Sequence, residues 1–256
     1  MKVVIVGSGN VAEALAVGLH EANIEVAQIF ARNEVRGEAV AAMAGATWSA
    51  TQLAVADIYL LAVSDRAVAD VAASLELPEG AIVAHTAGCC PIEALPTGTR
   101  RGVFYPFQTF SAGRRVDFSK IHIFVEAEDD TTKEALEALA RRLTTHVAEA
   151  DSARRATIHL SGVFVNNFAN CMFADAAAIL AEVGLGFDVL APIALETATK
   201  AGEANHPAEV QTGPARRGDI PTLDRHRAML ASKPELLDLY NKISENIWHN
   251  SEISKR

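Results

Sequence analysis

Within a stretch rich in Leu, Val and Phe, His159 is followed by Asn166, Asn167 and Asn170. Histidine gives or takes a proton near neutral pH, and carboxamides beside it can orient a polar substrate. At about 100° per residue on a helix, Asn166 and Asn170 fall within about 20° of the direction of His159, and Asn167 about 80° away. Buried polar groups need partners, so such a stripe faces either a ligand cleft or a subunit interface. His159 is the candidate proton donor, Asn167 the group that would orient the substrate, and Asn170 a further substrate contact. Structural hydrogen bonding is the alternative reading of the same stripe.

A second polar cluster, Thr212-Gly-Pro-Ala-Arg-Arg217-Gly-Asp219, has the Gly and Pro of an ordered turn between helices, and His226 follows it. Arg217 could meet a substrate carboxylate; pairing with Asp219, helix capping or a subunit contact are its structural alternatives. A third segment, Tyr105-Pro-Phe-Gln108-Thr-Phe-Ser111, ends a strand-like run and adds Gln108 as a possible substrate contact.

These groups need a second reactant, and the chain's first residues point to one. Lys2-Val-Val-Ile-Val is a β-branched run that meets Gly7-Ser8-Gly9-Asn10-Val11-Ala12 and continues into an amphipathic helix through Leu19. Gly7 permits a tight exit from a strand, Gly9 leaves room for a diphosphate against the backbone, and Ala12 lets helix and strand pack closely. The anion would sit on the unpaired N–H groups at the helix N-terminus. The next strand, Glu25 to Ala31, ends in Ala31-Arg32-Asn33. An NAD-preferring site usually carries an acidic residue there, whereas the Arg32 guanidinium suits a 2′-phosphate, so NADP is expected over NAD. Arg36, one helical turn later, could share or replace that role. The ends of the following strands, Val63-Ser64-Asp65 and His85-Thr86-Ala87-Gly88, should flank the ribose and nicotinamide. Helix capping and turn formation are the alternatives for Ser64, Asp65, Thr86 and Gly88.

The remaining composition excludes other classes. With a formal net charge of −9 over 256 residues, no basic stripe is available for nucleic acid. Arg114-Arg115, Arg141-Arg142 and Arg154-Arg155 read as solvated pairs. The three cysteines, Cys89, Cys90 and Cys171, are odd in number and two are adjacent, which suits a reducing cytoplasm rather than a disulfide framework. The eight histidines show no metal-ligand spacing, so no metal is expected. No uninterrupted apolar run of membrane-spanning length is apparent, and neither a membrane nor a nucleic-acid partner is expected.

The elements that must position these residues alternate strand and helix. Helices are expected at Glu34 to Ala44, Asp65 to Leu75 and Asp130 to Leu143. Strands are expected at Asp57 to Val63, Ala81 to His85, Gly102 to Tyr105 and Ile121 to Glu126, with a short one through Val147. Such repetition implies an α/β fold with a doubly wound sheet. After Ser152 the pattern becomes helical: Ala153 to Val183, Asp188 to Gly202, Pro221 to Leu230 and Pro234 to His249. The expected domains are residues 1–151, binding the dinucleotide, and 152–256, all-helical, with the substrate site in the cleft between them. The long helix is apolar around much of its circumference, which suggests a homodimer through the C-terminal helices.

Taken together, Gly7-x-Gly9-Asn10-x-Ala12, Ala31-Arg32-Asn33, His85-Thr86-Ala87-Gly88, the Tyr105 to Ser111 segment, His159-x-x-Gly162-Val-Phe-Val-Asn166-Asn167-Phe168 and Thr212-Gly-Pro-x-x-Arg217-Gly-Asp219 with His226 carry a family resemblance over the whole chain. The chain resembles bacterial Rossmann-like proteins regarded as NADP oxidoreductases, whose C-terminal helical domain has no assigned function. More distantly it is similar to pyrroline-5-carboxylate reductase and to deazaflavin-dependent NADP reductases. The resemblance implies a Rossmann domain followed by an all-α domain of the 6-phosphogluconate dehydrogenase-like type, an NADP cofactor and a dimer, but no substrate. The related β-hydroxyacid dehydrogenases use a Lys with an Asn four residues later on the long helix. This chain has no Lys between Lys133 and Lys200, and His159 with Asn167 occupies that region, which argues against a hydroxyacid. The expected activity is hydride transfer between NADP and a small carbonyl or imine compound. The alternatives are a non-catalytic dinucleotide sensor or scaffold and a pyrroline-5-carboxylate reductase-like enzyme.

Overall fold

The structure is a computed structural model that describes residues 1–253; the last three positions of the expected second domain lie outside the described residues. The chain divides into two compact units, Met1–Asn167 and Phe168–Arg256. This boundary falls later than the 151/152 division expected from sequence. The cause is the first part of the long helix, which packs on the sheet of the first unit through Arg155, His159 and Gly162.

The first unit is built on an eight-stranded sheet ordered β3-β2-β1-β4-β5-β6-β7-β8. The strands are β1 (Lys2–Val6), β2 (Glu25–Phe30), β3 (Thr47–Ser49), β4 (Ile58–Leu61), β5 (Ile82–His85), β6 (Arg100–Phe107), β7 (His122–Ala127) and β8 (Val147–Glu149). All neighbouring pairs are parallel except β6 and β7. The β6–β7 connection holds only the short 3₁₀ turn Phe118–Lys120, and a parallel pair would need a crossover element there. Strand β6 runs through Phe107, beyond the expected end at Tyr105. The sequence reading also missed β3, a three-residue edge strand too short to leave a period.

Helices α1 (Asn10–Glu21), α2 (Glu34–Met43), α3 (Val68–Ser74) and α4 (Asp130–Arg141) cover the sheet. The expected helix from Asp65 begins as a 3₁₀ turn, Asp65–Ala67. Alternation along β1 divides the core: Val3 and Ile5 join the cluster with α1, α2 and α4, while Val4 and Val6 join the cluster with α3. Burial on both faces explains why the parallel strands read as continuous apolar runs.

The helical run beginning at Ser152 consists of α5 (Ser152–Gly162), a π-helical segment Val163–Phe168, and α6 (Ala169–Ala181). Against expectation, Ser152–Ala181 is long and apolar enough to cross a membrane by length and composition, with a mean hydropathy of 1.4 in its most apolar window. Its scattered polar residues hid this, because averaging over a window tolerates the asparagines that interrupt each shorter run. In the second unit follow α7 (Ala191–Glu203), α8 (Pro214–Arg217), α9 (Ile220–Met229) and α10 (Pro234–Ile253). Gly218 ends α8 in the left-handed conformation at φ 66°, where the Trp248 ring packs over it. Asp219 caps α9 by accepting from the Thr222 N–H, and the His226 Nδ1 and Tyr240 hydroxyl share a hydrogen bond of 2.8 Å.

Candidate active site

The chain reverses direction across the sheet between β1 and β4, and a cavity of about 400 Å³ opens at their carboxyl ends. Its walls include Gly7, Ser8, Gly9, Arg32, Asn33 and Ser64. Open α/β sheets bind ligands at this switch point. Gly7 has φ +120°, and a Cβ there would lie 2.4 Å from the Ala62 carbonyl oxygen. Only glycine fits that turn without strain. A Cβ on Gly9 would meet nothing within 4 Å, and no side chain caps the N-terminus of α1. The first N–H groups of α1 therefore stay available beside open space, as a diphosphate requires.

The expected cofactor residues divide by environment. Arg32 is exposed on the cavity wall, and no hydrogen bond or ion pair to it is found among the described residues. Asn33 lines the same cavity, but its Oδ1 caps α2 by accepting from the Arg36 N–H at 2.9 Å. Arg36 is spoken for: it forms an ion pair with Glu13 and donates to the Ser8 carbonyl at 3.1 Å. It braces the glycine turn instead of sharing the role of Arg32, because the buried Glu13 carboxylate offers it a close countercharge. The side chain of Asn10 donates to the Phe110 carbonyl at 3.1 Å, and Val11 is half-buried beside the core. Val63 and Ser64 line the cavity, and Ser64 makes no side-chain cap. Thr86 is buried, its hydroxyl donating to the Leu61 carbonyl at 3.2 Å, and it is not part of that wall.

Further along the same carboxyl edge, beside β5 and β6, lies a cavity of about 300 Å³. Tyr105, Phe107, Gln108, His159, Asn166 and Asn167 contribute to its lining. The π-helical segment alters the phase of the helix, so Asn167 reaches this wall together with Asn166 instead of turning away as 100° per residue would place it. Gln108 is exposed, and its Oε1 accepts from the Thr109 N–H at 2.8 Å. Asn170 and Arg217 belong to the second unit, where both are exposed.

The half-buried His159 ring meets two neighbours at its Nδ1 edge. Its Nδ1 shares a hydrogen bond of 3.0 Å with the Tyr105 hydroxyl. The same edge packs against Gly88, where a Cβ would lie 2.3 Å from Nδ1 and 2.8 Å from Cγ. Burial, aided by nearby Cys89 and Asp65 and opposed by Arg155, pushes the Tyr105 hydroxyl up to about 12. Tyr105 therefore keeps its proton across the neutral range.

Beneath this pair lies a residue that the sequence reading set among solvated cations. Arg155 is fully buried, paired with Glu126 and donating to the Cys90 carbonyl. Ser152 joins the group, its N–H donating to Glu126 at 3.0 Å and its hydroxyl accepting from Ile92 N–H at 3.3 Å. The cluster fastens α5 to β7 and to the loop that carries Gly88. One signal was available: Arg155 lies four residues before His159, on the same helix face. Tyr105 stands in the sequence as part of its strand end, and nothing there pairs it with His159.

Comparison with known proteins agrees with this architecture. Residues 2–88 match the family described as NADP oxidoreductase coenzyme F420-dependent, and residues 121–247 match a domain of unknown function, DUF2520. No curated protein matches the chain. Among solved structures, a candidate NADP oxidoreductase from Bacteroides fragilis is 36% identical, with 97% of this chain and 98% of that one covered and a TM-score of 0.88. An imine reductase from Streptomyces aurantiacus is 15% identical over 100% of both chains, with a TM-score of 0.68. A pyrroline-5-carboxylate reductase from Coxiella burnetii is 16% identical over 98% of this chain and 97% of that one, with a TM-score of 0.57. These last two likenesses show a shared fold. The chain belongs to the family of the Bacteroides fragilis protein, NADP oxidoreductases in which the oxidoreductase match over the first strands is followed by a DUF2520 match that begins at β7 and runs on through the helices.

Proposed function

We propose that this protein is an NADP-dependent reductase of a small carbonyl or imine compound, with His159 as its proton donor. The observation that carries the reading is the position of His159 against Gly88, just past the end of β5. Neighbouring strands lie about 4.8 Å apart, so a group at β5 is within reach of a dinucleotide bound at the β1/β4 crevice.

Gly7, Gly9 and the first turn of α1 would hold the diphosphate, and Arg32 the 2′-phosphate. Val63 and Ser64 would border the ribose and nicotinamide. When bound, the reduced nicotinamide supplies a hydride. The chain's own task is then to place the acceptor and deliver a proton. With Nδ1 engaged by Tyr105, Nε2 is the His159 nitrogen left to meet the substrate's oxygen or nitrogen. The carboxamide of Asn167 would orient that group, with Gln108 as a second contact. Phe107 and Val163 would exclude water from the reacting centre.

We also propose a homodimer through the helical unit. Val183, Leu185, Ile193 and Leu195 are 71%, 48%, 64% and 70% exposed in the single chain. Apolar residues that exposed along one helical unit call for a covering surface. A reducing cytoplasm suits the three free cysteines.

The test is NADPH oxidation with a panel of small ketones and cyclic imines, including 2,2,2-trifluoroacetophenone and 1-pyrroline. Turnover that falls about a hundredfold or more in His159→Ala is the expected result. Turnover unaffected by that substitution would refute the role of His159.

A further inference from the structure

We propose that Tyr105 and His159 form a proton relay, in which the neutral imidazole gives its Nε2 proton to the substrate while Nδ1 takes one from the Tyr105 hydroxyl. The inference rests on the reductase reading above and names a positioning residue for it.

The geometry brings the two groups together. Tyr105 and Nδ1 are 3.0 Å apart, and the same Nδ1 edge of the ring packs against Gly88. A tyrosine hydroxyl that retains its proton donates to an unprotonated ring nitrogen. The relay takes this arrangement, with the imidazole proton on Nε2, the nitrogen that has no hydrogen-bond partner among the described residues. Tyr105 is itself anchored, its ring 6.1 Å from Phe107 and 6.5 Å from Phe124 between centroids.

The balance for a ketone is complete. Hydride addition leaves negative charge on the carbonyl oxygen. There an O–H bond forms as Nε2–H breaks and Nδ1–H forms as the Tyr105 O–H breaks; the phenolate then takes the Nδ1 proton back as Nε2 takes one from solvent, which restores the starting tautomer. An alkoxide is more basic than a phenolate, so the transfer runs downhill even with the Tyr105 hydroxyl raised to about 12. A histidine acting alone must first become an imidazolium, and so loses its acidity as pH rises. The relay spares it that requirement.

The charged and titratable groups around the pair are Cys89 and Asp65 from the loops after β5 and β4, and Arg155 on α5. A Cys89→Ser background removes the thiol from the surroundings of the pair.

In that background, ¹⁵N-histidine NMR at pH 8 should report His159 as the Nε2–H tautomer, and Tyr105→Phe should mix the two tautomers. Phe keeps the ring packing, and His159→Gln assigns the signal. NADPH oxidation with cyclohexanone, whose alkoxide is far more basic than a phenolate, should then show a kcat flat from about pH 7 to 10, falling roughly tenfold per pH unit in Tyr105→Phe with KM little changed. An Nδ1–H tautomer, or one indifferent to Tyr105→Phe, overturns the relay. The expected tautomers with no ketone reduced would overturn the reductase reading instead, so the two failures are distinguishable.

Discussion

Replacing His85 should remove a specific acid sensitivity from the first unit. His85 closes β5 with no exposed surface. Its Nδ1 accepts from the Ala87 N–H at 3.2 Å, and its Nε2 satisfies no hydrogen bond. Burial first, and the Arg155 guanidinium second, lower its pKa from 6.5 to about 4. Between those values the unfolded chain binds a proton at this position and the folded chain does not, so stability falls as pH falls through the window. Above pH 6.5 neither state is protonated, and below about pH 4 both are, so the loss is confined to the interval. The difference of about 2.5 units corresponds to about 3 kcal/mol. In His85→Asn the Oδ1 can still accept from Ala87, and nothing titrates. Urea unfolding at half-unit steps from pH 4 to 7, read by Trp48 fluorescence in a Trp248→Phe background, follows the first unit. The wild type should lose about 3 kcal/mol more than His85→Asn on going from pH 7 to 4. Parallel pH dependences would refute the reasoning, because they would mean that His85 is protonated in the folded state or is not buried as described.

Two further outcomes are expected. Arg155→Met should lower stability by about 3 kcal/mol, because it leaves the Glu126 carboxylate partly buried without its countercharge, and should do so less in an Arg155→Met, Glu126→Gln double variant; a double-mutant cycle in urea measures the coupling. Of the three thiols, exposed Cys89 and Cys171 should react with an aromatic disulfide reagent in the native protein, and buried Cys90, whose thiol is pushed up by desolvation, only on unfolding; mass mapping of the labelled sites checks this.

The first unit was legible because its signals are local. A β-branched run, a Gly-x-Gly turn and a return strand ending in Ala31-Arg32-Asn33 dictate a sheet edge and an anion site with little help from distant residues. The structure altered what depends on contacts across the chain. Arg36 reads as a second free cation until Glu13, far away in sequence, is seen beside it. Arg155 looks solvated next to Arg154 because sequence cannot show that Glu126 waits beneath it. Asn167 seemed turned from His159 because an α-helical period was applied across a π-helical segment. The Tyr105–His159 pair joins a strand to a helix 54 positions later, and no periodicity links residues so separated.

The central claim is a dinucleotide site that recognises a 2′-phosphate through Arg32. Titrating the purified protein with NADPH and NADH by calorimetry, in wild type and Arg32→Ala, tests it most directly. Tighter binding of NADPH than of NADH is predicted, with the substitution costing NADPH about 2 kcal/mol, roughly thirtyfold in Kd, and leaving NADH nearly unchanged. Equal affinity for the two nucleotides, or a mutant that still prefers NADPH, would contradict the assignment.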